Sequence, residues 1–501
     1  MAHGRNFPAV SVLAALLLLT GLVGCEPGAS WPPGNPSADD DGTPADDDTD
    51  LADDDDDGQG DDDDVVVSIE AELVPSEAIS TVATVTWPAI DGAVEAYVEY
   101  EIEGEPAVTA PARLVDDEYQ VVLFGLKPDT EYLVWARVEV DDEIHTSSAM
   151  PFHTGYASVE LAGNPSVLRD PERATDGFFV TMAASARWTA LIMDQDYDYV
   201  WWYSLDTGQA TALRARLSRD RQSVLVQGDH VLWRISIDGE TEEELPIDSH
   251  HDFVELADGT LAVLDQVEEQ IGDVNVIGDR IVEYAPSGES RVVWTTFDSF
   301  EYDPDALLEF PDMFMGWSHA NVLRYDAERD RYAVSVRNFH TIVTIDRETG
   351  EELYRIGGTD SDVVSSTGET SLFYGQHGFE LEADRLLIYD NGSPERNSTM
   401  IVEFGIDLDA GTADRHFDYK PNPPLYNPVA GDVTRLPSGN TLITWSYLGR
   451  IEELSTDGAI VGQLQMPIGN GFGYTSWVED LYTATGEALT PGEAGASASA
   501  R

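Results

Sequence analysis

From residue 155 onward, short apolar runs recur in one order. An apolar run is followed by a turn and a second run ending near an acidic or aromatic residue. A Gly-containing turn and a third run carrying Trp or Tyr complete the unit. The copies are ALIM (190–193) with WWY (201–203), SVLV (223–226) with LWRI (232–235), and LAVL (261–264) with IVEY (281–284). Three more follow: YAVS (332–335) with IVTI (342–345), LLIY (386–389) with IVEF (401–404), and LITW (442–445) with RIEEL (450–454). Runs this short, β-branched and aromatic, and bounded by Gly, Asp and Pro, read as strands. A strand unit of this size cannot bury both faces alone and must stack on its neighbours. Six copies over residues 155–490 therefore predict an all-β, six-bladed β-propeller.

Residues 65–154 carry a different pattern. ATVTW (83–87), AYVEYEI (96–102), YQVVLF (119–124) and YLVWARVEV (132–140) alternate polar and apolar positions between turn residues, which predicts a small β-sandwich. Residues 25–64 become blocks of Asp. Like charges at that density repel and bury no core, so a disordered acidic tether is expected. The blocks lack the spaced ligands and turn glycine of a calcium loop. Residues 491–501 are small and polar and read as a disordered tail. At the N-terminus, residues 9–20 form an apolar run too short to span a membrane comfortably, which reads as a targeting segment.

Charge changes the picture of partners. Net charge is −68, from 27 basic and 95 acidic residues. That argues against nucleic acid, whose phosphates need Lys and Arg in number. An anionic substrate likewise gains nothing from the global field and must be held by local cations. One stretch supplies them. In GWSHANVLRYD (316–326), His319 and Asn321 lie two residues apart, and Arg337 follows in the next run, YAVSVRN (332–338). Side chains two apart in a strand share a face. An imidazole, an amide and a guanidinium in one cavity would suit a tetrahedral oxyanion such as sulfate or phosphate. His251 in HDFVEL and His377 in HGFEL open similar strings, each followed by a turn and an apolar strand. One such His alone would read as a strand cap; three in register, with Arg337, read as a site. A metal held by the three imidazoles is disfavoured by the guanidinium beside them, and no cofactor is expected.

The strings GWSHANVLRYD with VSVRN, IDRETGEELYRIGG (345–358), YGQHGFEL (374–381) with LLIYDNG, and GDVTRLPSGNTLITW (431–445) with GRIEELSTDG together resemble the bacterial aryl-sulfate sulfotransferases over residues 155–490. The resemblance implies a six-bladed propeller whose central His is transiently sulfated. It also implies transfer of a sulfuryl group from an aryl sulfate donor to a phenolic acceptor without a nucleotide. His377 matches the sulfated nucleophile, and His319, Asn321 and Arg337 the sulfate-binding set. His251 matches a further His that contacts sulfate and serves the phenol proton. His250 competes for that place, and the Phe-x-x-Leu register favours His251. Asp390-Asn-Gly and Gly431-Asp-Val are family-like and read as turns. The chain departs from the family in lacking an Arg near Tyr474 and any disulfide. GLKPDTEY (125–132) resembles the fibronectin type III signature, which implies that Leu126 and Trp87 enter the core and Tyr132 makes a tyrosine corner. LVGC (22–25) resembles the lipobox of bacterial lipoproteins, which implies cleavage of residues 1–24 as a signal peptide and lipidation of Cys25. The protein would then face away from the cytoplasm, on the periplasmic or cell-surface side of a bacterial membrane, the outer one above all. A contrasting expectation is a non-catalytic surface propeller serving binding or adhesion; it predicts no convergent His and Arg. Neither tether nor sandwich offers a site residue, so both are expected to be dispensable for chemistry.

Overall fold

The computed structural model describes residues 68–157, 165–206, 211–303, 316–368 and 371–483. The expected signal peptide, Cys25, the expected tether and the expected C-terminal tail lie outside the described residues. The described chain is almost entirely antiparallel sheet.

Residues 68–157 form two sheets packed face to face. One has the order Glu72–Pro75, Ala83–Pro88, Glu118–Leu123, Arg113–Val115. The other runs Val108–Pro111, Ala93–Glu101, Glu131–Val140, Glu143–Thr146, and Met150–His153 also pairs with Glu131–Val140. The long strand Glu131–Val140 shows why they stack. Tyr132, Val134, Ala136 and Val138 alternate inward and are buried, joining Trp87 and Leu126 in one core. Tyr132 Oη accepts the backbone N–H of Lys127 at 2.9 Å, so the ring buries its body while its hydroxyl stays satisfied.

The sandwich is not held at arm's length. Its Ile79, Val82 and Phe124 lie in the same buried cluster as Trp201, Leu205, Ile237 and Leu481. Tyr482 Oη donates to Phe124 O at 2.7 Å and accepts the Phe124 N–H at 3.0 Å. Lys127 Nζ lies 2.7 Å from Asp196. The two parts share a core across the expected boundary at residue 154.

Beyond residue 165 the strands build a succession of sheets. Phe253–Glu255, Leu261–Ile271, Val274–Tyr284 and Ser290–Thr295 make one; Ala320–Asp326, Arg331–Val336, Thr341–Asp346 and Glu352–Gly357 make the next. Phe379–Leu381, Arg385–Asp390, Met400–Asp407 and Thr412–Tyr419 follow, then Asp432–Arg435, Thr441–Trp445, Arg450–Leu454 and Ile460–Gln465. The early strand Ser166–Arg169 adds to the edge of that last sheet. The late strand Gly471–Val478 pairs with Phe178–Ala184, completing a sheet with Trp188–Met193 and Tyr199–Ser204. The two ends of the region are thus stitched together. A single parallel pair, Arg214 with Tyr474, joins this sheet to the one that begins at Ala212–Leu217.

The first strands of these sheets meet side by side. Arg214 and Arg324 both bridge Asp252 and Asp432, so four separate sheets are tied at one point. Tyr474 Oη donates to Asn321 O at 3.2 Å, and Arg324 Nε donates to Phe379 O at 3.0 Å, drawing in two more first strands. These buried ion pairs are multiply hydrogen-bonded, the condition under which charges are tolerated away from water.

Candidate active site

The site lies where the chain enters these first strands. His251, His319 and His377 each precede one: Phe253–Glu255, Ala320–Asp326 and Phe379–Leu381 respectively. The side chains converge through backbone geometry that strand alternation alone does not provide. His251 and His319 have φ of +59° and +54°, a left-handed conformation that turns each ring inward just before its strand begins. Asn321 sits at a bulge between Ala320 and Val322. The expectation that His319 and Asn321 share a strand face is therefore corrected: they come together through a left-handed turn and a bulge. Arg337 opens a 3₁₀ turn, Arg337–Phe339, rather than ending the strand.

The rings of His251 and His319 are 4.8 Å apart, edge to face. His250 stands behind: its Nδ1 is 2.9 Å from His251 Nδ1, and its Nε2 is 3.1 Å from Asp279 Oδ1. Of the two adjacent histidines, His251 is the one whose ring meets His319. Asp279 also accepts from Ser318 Oγ and from the Ala320 N–H, both at 2.6 Å, which fixes the turn that carries His319.

His377 is the most tightly specified. Its Nδ1 is 2.8 Å from Asn391 Oδ1. Asn391 Nδ2 donates to the carbonyls of Asn427 and Ala430, each at 2.8 Å. The amide can point only one way, so its oxygen faces the ring and His377 must carry its proton on Nδ1. The lone pair is left on Nε2, which accepts the Ala430 N–H at 3.1 Å. Gly378 follows because nothing larger fits: a Cβ there would lie 2.2 Å from Asp432 Oδ1 and 2.5 Å from Asp432 Cα.

Asn321 Nδ2 donates to Gln376 O at 2.8 Å, tying the His319 strand to the residue before His377. Arg337 donates to Asn338 Oδ1 at 3.2 Å and to Pro428 O at 3.4 Å. All three imidazoles are held neutral. Burial, then the Arg337 charge, pushes His377 down to about 3. Burial and the neighbouring His250 and His377 do the same to His251, also to about 3. His319 is lowered well below the ordinary value by burial, His251 and Arg337. The site thus sets one permanent cation, Arg337, among neutral imidazoles, with the His377 Nε2 lone pair engaged by the Ala430 N–H.

Several residues escaped the sequence reading. Asn391 and Asp432 sit in the two motifs read as turns; one orients His377 and the other anchors the central ion pairs. His340, stacked on Tyr374 with ring centroids 3.8 Å apart, accepts the Gly375 N–H on Nδ1 at 3.0 Å. An aromatic group flanks the site: Trp317, two residues before His319, packs against Phe339, two residues after Arg337, at 5.0 Å. The spacing DNG after an apolar strand was the only hint of Asn391, and it is a common turn signal.

The model of the arylsulfotransferase (ASST) family matches residues 166–465, more than half of the chain. The chain belongs to the arylsulfotransferase family. No curated protein matches it as a relative. Among solved structures, this chain is similar to a streptogramin B lyase (12% identity over 63% of this chain and 87% of that one, TM-score 0.35). It is also similar to virginiamycin B lyase from Staphylococcus aureus (13%, 63% and 99%, TM-score 0.33). A putative 6-phosphogluconolactonase from Bacteroides fragilis shows comparable likeness (11%, 77% and 98%, TM-score 0.33). Membership of the arylsulfotransferase family implies an aryl sulfate as donor and a phenol as acceptor. The matched span contains His251, His319, Asn321, Arg337 and His377 and excludes the sandwich.

Proposed function

We propose that this protein moves a sulfuryl group from a phenolic sulfate ester to a phenol through a sulfohistidine on His377, without a nucleotide donor. The observation that carries the reading is the Asn391 contact, which leaves the His377 lone pair on Nε2 in a ring that burial keeps neutral. In the first half-reaction Nε2 gives up the Ala430 N–H and attacks sulfur, the sulfur–oxygen bond to the aryl group breaks, and the phenolate leaves and takes up a proton. In the second, an incoming phenol loses its proton as its oxygen attacks sulfur, and the sulfur–nitrogen bond breaks. Arg337 bears on the sulfuryl oxygens, where charge must be balanced throughout. His251 and His319, neutral and in edge contact, are suited to pass the phenolic proton. Asn321 holds the Gln376–His377 turn. The rings of Trp317 and Phe339 offer an aryl group an apolar surface.

The sheets read as six blades, in which Gly471–Val478 completes the blade that begins the ring. The sandwich reads as a fibronectin type III-like module, supported by the Tyr132–Lys127 contact and the buried Trp87. LVGC at 22–25 and the Asp-rich stretch after it support a lipoprotein anchored through Cys25 on the outer side of a bacterial membrane. Cys25→Ser should release the protein from membranes or leave it unprocessed; unchanged fractionation and cleavage would refute the anchor.

The test of the chemistry is mass spectrometry after donor treatment. The peptide holding His377 should gain about 80 Da, the mass of a sulfuryl group expected of covalent catalysis, with ping-pong kinetics. His377→Ala should abolish both. Full turnover in that variant would overturn the reading.

A further inference from the structure

A second concentration of positive charge lies among residues other than the histidines and Arg337. The histidines precede the first strands. By contrast, a cavity of about 160 Å³ is lined by residues toward the ends of those strands, among them Arg216, Glu255, Tyr325, Thr434 and Ser476. Five arginines line it: Arg214, Arg216, Arg219, Arg221 and Arg324. The chain has only 27 basic residues against 95 acidic ones, so this gathering opposes the character of the whole molecule.

Charge does not balance there. Arg214, Arg216 and Arg324 face two carboxylates, Asp252 and Asp432, which leaves one guanidinium in surplus. Glu255 is the further carboxylate of the lining; it accepts the Arg219 N–H at 2.8 Å. Arg221 faces Asp480 as well as Glu255, so this pair of arginines is balanced. The surplus falls on Arg216. Arg214 is bidentate on Asp252 and also holds Asp432, whereas Arg216 makes one 3.2 Å contact to Asp252 Oδ1. Arg216 Nε is buried with no hydrogen-bond partner among the described residues. Burial, resisted by Asp252 and reinforced by Arg214 and Arg324, pulls this guanidinium down to about 10. Its side chain is nonetheless 26% exposed, so the cavity reaches it from solvent. An under-partnered guanidinium beside like charges is relieved by an anion that can accept from its fork.

We propose that this cavity is a second anion site, binding a small oxyanion — sulfate, phosphate or a carboxylate — on Arg216 and its neighbours, apart from the histidine site. The hydroxyls of Thr434 and Ser476 in the lining supply further donors of the kind such oxygens need. The proposal stands independently of the sulfuryl-transfer chemistry, because it concerns other residues and is read without turnover.

The experiment is thermal unfolding of the full chain in chloride buffer, titrated with sulfate, phosphate or acetate. The Arg337→Gln background removes the guanidinium of the histidine site. Sulfate or another of these oxyanions should still raise the melting temperature saturably, as expected for a ligand of the folded state. Adding Arg216→Gln should shift half-saturation at least tenfold or abolish the response. Comparison of the three anions tells a tetrahedral oxyanion from a carboxylate. If the doubly substituted protein does not fold, Arg216→Lys takes its place under the same criterion, since it keeps the charge and loses the planar fork. No response in Arg337→Gln, or a response unchanged by substitution of Arg216, overturns the proposal.

Discussion

His377 and Asn391 are joined ring to amide at 2.8 Å, and two backbone carbonyls hold Asn391 so that only its oxygen can face the ring. This contact selects the imidazole tautomer. Replacing Asn391 with Ala should free the ring to carry its proton on either nitrogen. Turnover should fall on the order of 10²-fold, the scale of one lost preorganised contact, with KM little changed. Asn391→Asp is the sharper variant. A carboxylate beside the ring favours imidazolium, so the acid limb of the rate profile should move to higher pH. Steady-state kinetics from pH 4 to 8 would show it; identical profiles in wild type and variant would remove Asn391 from this role.

The depressed histidines also make stability depend on pH. In the unfolded chain an imidazole titrates near 6.5, while His251 and His377 do so at about 3 in the folded protein. Between those values the unfolded state binds more protons, so stability falls as pH drops from about 6.5 toward 3. The slope is at most about 1.4 kcal/mol per pH unit for each such group. Urea unfolding at pH 7 and pH 4.5 should show this loss, and His251→Gln should make it shallower. An equal loss in both proteins would contradict the assignment.

Arg337→Ala should cost roughly 10²–10³ in turnover, as the loss of the permanent cation beside the reacting group. Asn321→Ala should cost less in rate, as it removes a neutral donor. It also cuts the tie to Gln376 O, so it should lower the melting temperature; Arg337→Ala, which loses its bonds to Asn338 and Pro428, is set apart by its larger loss of rate. Kinetics and calorimetry on the two variants separate these effects.

The sandwich makes a contribution that its distance from the histidines hides. Phe124 is 2% exposed and packs in the cluster that contains Trp201 and Leu481. Phe124→Ala should destabilise the protein by about 3–5 kcal/mol. A chain starting at residue 155 should unfold at lower temperature than the full protein while retaining turnover when folded. Equal melting temperatures would show that the shared core contributes nothing.

Much of this was legible along the chain. Strand runs, their repetition and the sandwich before them follow from local patterning, because side-chain alternation and turn chemistry act over a few residues. The recurrence of His before an apolar strand marked His251, His319 and His377, and the imidazole, amide and guanidinium spaced along 319–337 marked Asn321 and Arg337. Other relations needed the folded backbone. The left-handed φ at His251 and His319, the bulge at Asn321 and the 3₁₀ turn at Arg337 decide where those side chains point, and none has a distinctive local signature. Asn391 resembled any turn residue until the carbonyls of Asn427 and Ala430 fixed its amide. Gly471–Val478 pairs with Phe178–Ala184 across nearly the whole region, and Arg214 finds Asp432 more than two hundred residues away. Pairing and charge balance over such distances depend on which strands close the ring, and that is set by packing between sheets, not by any one stretch of chain.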